Sequence, residues 1–174
     1  MNKSSTKEPI KMSQARKIYK KLNEKMLIGW SEWCGLPELN LPVIKAKIDT
    51  GAKTSALHAY DIKKITIKNK LYVNFKIHPL QRNNELIREC QAEVVDERHI
   101  MSSNGHIEHR CVIQTLLQLG DKAWDIQITL SNRDPLAFRM LLGREALNGR
   151  VLIDPVSKCQ QGKINKKMAL SFYL

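Results

Sequence analysis

Ala46-Lys47-Ile48-Asp49-Thr50-Gly51-Ala52-Lys53-Thr54-Ser55-Ala56 is the stretch on which the reading of this chain turns. Its approach is apolar and β-branched (Val43, Ile44, Ile48), and it halts at Asp49 before Thr50-Gly51 breaks the run. That is the pattern of a strand delivering one carboxylate into a tight loop. A second stretch, Phe138-Arg139-Met140-Leu141-Leu142-Gly143-Arg144-Glu145-Ala146-Leu147, reads as a short apolar strand, a glycine and a helix start.

Around these two segments the chain alternates in short steps. Met26 to Trp33 and Leu41 to Ile48 read as strands about a turn at residues 35–40. Asp61 to Lys68 and Leu71 to His78 form a predicted hairpin, with Leu71, Val73, Phe75 and Ile77 on one face. Ala92 to Met101 and His106 to Leu119 form another, turning at Ser103-Asn104-Gly105. Asn-Gly between extended runs is a strong hairpin signal, because both residues accept positive φ. Trp124, Ile126, Ile128 and Leu130 alternate again. A short helix over Arg144 to Leu147 precedes a last strand at Val151 to Ile153. Many short strands with few helices predict an all-β fold, a closed or nearly closed barrel.

The 174 residues carry 43% hydrophobic content and a net charge of +12, which fits one domain with a real core. The expected organisation is a basic N-terminal extension over 1–25, helical or disordered, a domain over 26–157 and a basic C-terminal tail over 158–174. The first 25 residues hold eight Lys/Arg against Glu8 and Glu24. That asymmetry implies either an acidic partner, nucleic acid included, or simply a solubilising arm. Met12, Ala15, Tyr19, Leu22 and Met26 recur at helical spacing within it. No apolar run reaches membrane-spanning length and no signal peptide is legible, so a cytoplasmic protein without membrane contact is expected. Cys34, Cys90, Cys111 and Cys159 are scattered, as reduced thiols would be.

Four ordered motifs carry a resemblance: Ile28-Gly29-Trp30-Ser31-Glu32-Trp33, the run Asp49 to His58, Ser102 to Arg110, and Met140 to Arg144. Together they resemble retropepsin-like aspartic peptidases, in the branch often labelled "ATP-dependent zinc protease" and found beside RimK-type ATP-grasp glutamate ligases. The resemblance implies an acid-protease barrel acting as a homodimer. Asp49 would be catalytic, Thr50 would hold its loop through the hydroxyl, and Gly51 would let two such loops meet. The Asn104-Gly105 hairpin falls where a retropepsin carries its flap. The interval from Asp49 to Gly143 is longer than a minimal retropepsin needs, with the excess assigned to residues 60–90.

One Asp-Thr-Gly motif supplies half a catalytic pair, so a second Asp49 from a twofold-related copy is required. Lys53 with Thr54 and Ser55, and Arg98, Asn104, Gly105, His106, Glu108 and Arg110 around the flap, are the candidate substrate contacts. The glutamate-ligase neighbourhood implies a glutamate-bearing peptide or protein tail, and a functional link to such a ligase. Gly143 and Arg144 are expected to be structural, Arg144 pairing with a carboxylate near the active loop. The sequence supports neither half of the zinc and ATP label. His106-Ile107-Glu108-His109 lacks the helical metal-ligand spacing, and no phosphate-cradling loop is present. No cofactor or metal is therefore expected, although His99, His106, Glu108 and His109 stand as the alternative ligand set. A non-catalytic module of the same fold, holding an acidic peptide or RNA, is the second reading.

Overall fold

The computed structural model describes residues 21–22, 24–101, 107–132 and 137–174. The expected helix over 11–25 and the hairpin tip with Asn104, Gly105 and His106 fall almost wholly outside these residues.

Among the described residues, eleven strands follow one another: β1 (Met26–Gly29), β2 (Ser31–Leu36), β3 (Leu41–Ile48), β4 (Ser55–His58), β5 (Tyr60–Ile67), β6 (Lys70–Ile77), β7 (Arg88–Met101), β8 (Ile107–Leu119), β9 (Lys122–Ser131), β10 (Met140–Leu142) and β11 (Val151–Asp154). Two short helices, α1 (Arg144–Leu147) and α2 (Lys166–Ser171), interrupt the last third. The main sheet runs β2-β3-β10-β4-β9-β8-β7-β6-β5, and β2 pairs a second time with β8 at Gly35 and Gln118. Strands β2, β3, β10, β4, β9 and β8 therefore form a ring, which leaves them no free edge. The chain is all-β and retropepsin-like in form, as expected.

The alternation read from the sequence fills that ring. Cys111, Ile113, Thr115, Leu117 and Leu119 of β8 point inward with Ile126, Ile128 and Leu130 of β9. At the outer end of β8 the pattern changes meaning: Ile107 is 64% exposed. There the β7–β8 hairpin has left the barrel, and one face no longer means one environment.

Residues 60–90 place β5 and β6 outside the ring, as a wing continued from β7. The single strand expected over Met26 to Trp33 is divided at Trp30. Met26–Gly29 pairs in parallel with β11, while Ser31 onward joins the ring. Residues 37–39 form a 3-10 turn closed by Asn40 at φ 55°. The segment expected as a tail also differs. Residues 157–174 return along the barrel, and α2 buries Ala169 while Tyr173 donates its hydroxyl hydrogen to the Val43 carbonyl. A helix of six residues is under two turns and leaves too little periodicity to read against the charges and amides that precede it.

Candidate functional site

The Asp49 loop is built where two distant segments are laced together. Strand β3 runs parallel to β10, with Ile48 opposite Leu142. The Asp49 amide continues this ladder by donating to the Leu142 carbonyl at 2.9 Å. The chain then turns, and the Asp49 carboxylate fixes the turn itself: Oδ1 accepts from Gly51 N–H at 3.1 Å and Ala52 N–H at 3.2 Å. From the other side, Arg144 and Glu145 donate their amides to the Ala52 and Lys53 carbonyls at 2.9 and 3.0 Å.

Gly143 is the contact point. A Cβ there would stand 2.7 Å from the Thr54 carbonyl carbon and 2.9 Å from the Lys53 oxygen, so only glycine lets the segments close. The Arg144 side chain donates from Nη1 to the carbonyls of Thr50 (2.8 Å) and Gly51 (3.0 Å). Its expected carboxylate partner is thus replaced by loop carbonyls, because a tight turn leaves them without ladder partners. Thr50 is exposed and contributes that carbonyl, in place of the hydroxyl bond expected of it.

Asp49 opens onto a cleft of about 790 Å³, shared with Gly51, Lys53, Thr54, Arg98 and Arg110. Arg98, on β7, is held from three directions: by Asp96 at 2.7 Å, Thr54 Oγ1 at 3.0 Å and Gln127 at 2.6 Å. Asp96 lies below the usual carboxylate value, chiefly because of its bond from Arg98. Thr54 passes its own hydroxyl hydrogen to Glu145 at 2.9 Å, and Glu145 also faces Lys53 at 3.7 Å. Arg110, directly across the ladder from Arg98, is 5% exposed and paired with Glu108 at 2.7 Å.

Two of the expected substrate contacts take different roles. Ser55 is 1% exposed; its hydroxyl accepts the Gly143 amide at 3.1 Å, which makes it a fastener of the two segments. Glu108 is the countercharge of Arg110, and a carboxylate so placed repels an acidic ligand while it orients the guanidinium. Lys53, Thr54, Arg98 and Arg110 do meet in the cleft with Asp49. Asn104, Gly105 and His106 lie outside the described residues.

His99 and His109 face one another across the β7–β8 ladder with ring centroids 4.8 Å apart, and His109 Nε2 lies 3.7 Å from Glu97. Glu97 is itself paired with Lys64, which holds its carboxyl below the ordinary value. Of the ligand set His99, His106, Glu108 and His109, His106 lies outside the described residues; Glu97 is committed to an ammonium, and among the described residues no three His, Cys, Asp or Glu converge as a metal site needs.

Glu32 escaped the sequence reading of the site. Fully buried, it accepts three main-chain N–H groups, from Gly29 at 2.6 Å, Gln160 at 2.8 Å and Gln161 at 3.2 Å. It seats the returning segment 157–161 against β2. A Cβ on Gly29 would fall 2.4 Å from the Ser157 oxygen, so the same motif clears the space. Trp30 then donates to that Ser157 carbonyl at 2.9 Å and accepts from Ile48 N–H at 2.9 Å, one residue before Asp49. The available signal was a lone carboxylate between Trp30 and Trp33.

The family model described as "Retropepsin-like aspartic endopeptidase RimB" matches residues 27–164. A protein of Desulfotalea psychrophila named "Probable alpha-L-glutamate ligase" is 48% identical over 143 residues, 82% of this chain and 31% of that protein. A Parasynechococcus marenigrum protein of the same name is 40% identical over 152 residues, 87% of this chain and 33% of its own. The chain thus spans about a third of the length of the curated relatives it matches. A solved Legionella pneumophila protein of unknown function superposes with a TM-score of 0.66 at 29% identity, over 78% of this chain and 97% of that one. Among the described residues, no helix is long and apolar enough to cross a membrane.

Proposed function

Because this chain belongs to the RimB-like family of retropepsin-like aspartic endopeptidases, we propose that two copies join their Asp49 loops into one peptidase site acting on glutamate-bearing, acidic peptides. The observation that carries the reading is the Asp49 carboxylate itself. It ends a ring strand, is oriented by two amides of its own loop, and opens on a cleft walled by Arg98 and Arg110.

Two carboxylates held within hydrogen-bond reach do not both ionise, so the pair shares one proton. The ionised Asp49 takes a proton from water as the water oxygen bonds to the peptide carbonyl carbon. The protonated Asp49 of the second copy gives its proton to the carbonyl oxygen, forming a tetrahedral diol. In the collapse, one diol hydroxyl returns a proton to the pair, the other carboxyl protonates the amine, and the C–N bond breaks. The pair again holds one proton. No cofactor is needed for this sequence. Arg98, fixed by Asp96, Thr54 and Gln127, is the side chain set to receive a substrate carboxylate, with Lys53 as an exposed second cation. A pre-set guanidinium loses little freedom on binding. The linked ligase activity belongs to proteins of which this chain resembles one third, and we place this chain as the hydrolytic counterpart of such a ligase.

The second reading is a binding module that holds an acidic peptide without cleaving it. What favours it is that the curated relatives are named as ligases. Asp49→Asn separates the two. The amide keeps the carboxamide oxygen for Gly51 and Ala52 but cannot take a proton from water. Mass spectrometry of an oligoglutamate-tailed peptide should show shortening by the wild type and none by the variant, with peptide binding retained by both. Wild-type protein that binds the peptide and leaves it intact from pH 4 to pH 8 (a span of about four decades of proton activity) would establish the binding module.

A further inference from the structure

A second groove, of about 910 Å³, opens between α2, the 79–87 loop and the β2–β3 pair. It shares no lining residue with the Asp49 cleft. Its floor is apolar, formed by Trp33, Leu80, Ile164 and Leu170, and its rim carries Lys45, Arg82, Lys166 and Lys167 against one carboxylate, Glu85. These four cations differ from the lysines of the β5–β6 wing and from Lys53. Lys53, Lys63, Lys64, Lys70 and Lys76 each lie against a carboxylate, whereas none of the four rim cations has one among the described residues.

Both walls are fastened. Tyr173 bonds to the Val43 carbonyl behind α2, and Arg88 donates to the Tyr173 carbonyl. In the 79–87 loop, Asn83 Oδ1 accepts the Glu85 and Leu86 amides at 3.0 Å, and Arg139 donates to Asn84 at 2.7 Å. A groove kept open in this way does not have to be ordered by its ligand.

We infer that this groove docks an acidic segment of a partner protein that carries apolar anchors, its leucine-like side chains on the floor of Leu80, Ile164 and Leu170 and its carboxylates at the cationic rim. Charge complementarity selects this occupant. The chain's own first 25 residues, with eight basic side chains against two acidic ones, bear the same sign as the rim. A second copy, at net +12, does so as well. RNA is the poorer fit: Trp33 is the one aromatic of the lining, and Lys45 covers its ring at 5.4 Å, leaving no platform for a base. The docking rests on this groove alone and stands whether or not Asp49 cleaves a peptide.

The test uses the full chain as Asp49→Asn, so that no probe is consumed. Fluorescence anisotropy is read with a Glu-Glu-Leu repeat peptide, an all-glutamate peptide of equal length and an oligouridine. The repeat peptide should bind best, more weakly as salt rises. Combined Arg82→Glu, Lys166→Glu and Lys167→Glu should weaken it by about tenfold or more, since each exposed pair is both lost and reversed. Lys63→Ala, on β5 and outside both the groove and the cleft, should leave it unchanged. Arg82→Ala with Lys167→Ala, a milder pair, should show the same direction with an unaltered thermal melt. Equal binding of the two peptides, loss on Lys63→Ala, tighter oligouridine binding, or indifference to both rim variants would each overturn the proposal.

Discussion

At the scale of single residues, the carboxylates of this protein divide by what they bond. Asp49 uses one oxygen on its own loop and leaves the other toward the cleft, whereas Glu32 spends both oxygens on buried amides. Removing Glu32 strands three main-chain donors in a site without solvent. Glu32→Ala should therefore cost about 3 kcal/mol or more in urea unfolding, while Glu32→Gln, which keeps one oxygen for Gly29 and Gln160, should cost about 1 kcal/mol. Equal losses in the two variants would show that packing rather than hydrogen bonding sets the role of Glu32. Cys34, buried beside Glu32, has its thiol pushed up to about 12, by burial first and by that carboxylate next. Iodoacetamide at neutral pH should label the partly exposed Cys159 and spare Cys34 until the chain unfolds; peptide mapping reads the outcome. Early labelling of Cys34 would contradict a closed barrel at β2.

At the scale of elements, the β7–β8 hairpin is tied to its surroundings by ion pairs, and the ring by apolar burial. Asp96 is held below its ordinary value first by Arg98, and Glu97 first by Lys64. A carboxylate depressed in the folded state adds stability that is complete above its unfolded value, about 4, and is lost as pH falls through the folded one. The hairpin should thus loosen below about pH 4 while the ring persists. Hydrogen exchange, corrected for intrinsic rates, should show protection falling in the outer parts of β7 and β8 before it falls in β3 or β10. A simultaneous loss would mean that the ion pairs contribute nothing local. The same contrast explains what was legible in the sequence. Alternation revealed β6, β8 and β9, because one side of each meets a core. It could not reveal β4, whose four residues follow directly on the Asp49 loop, or the parallel pairing of β1 with β11, which joins segments more than a hundred residues apart. The division at Trp30 was equally hidden, since it is imposed by Ser157 and Ile48 from outside the strand. Around the cleft, Asp49 and Gly143 were legible from their motifs and Arg98 from its place beside the hairpin turn. The bonds of Gln127 and Glu145 were not, nor, away from the cleft, the role of Glu32, as each acts through a partner brought close only by the fold.

At the scale of the whole molecule, one chain supplies one catalytic carboxylate, and the proposed chemistry requires two. The ring leaves the Asp49 loop partly exposed, with Thr50 and Gly51 at the surface, as a loop that meets its own copy would be. In the proposed mechanism the partner is a second copy, and activity would be a property of the pair. Mixing subunits tests this most directly. Wild-type chain is combined with increasing proportions of Asp49→Asn chain at constant total concentration, subunits are allowed to exchange, and shortening of an oligoglutamate-tailed peptide is followed by mass spectrometry. A site made by two Asp49 residues loses activity as the square of the wild-type fraction, because mixed pairs are inactive. Activity falling in simple proportion to that fraction would mean that each chain cleaves alone, and the paired-Asp49 mechanism would be wrong.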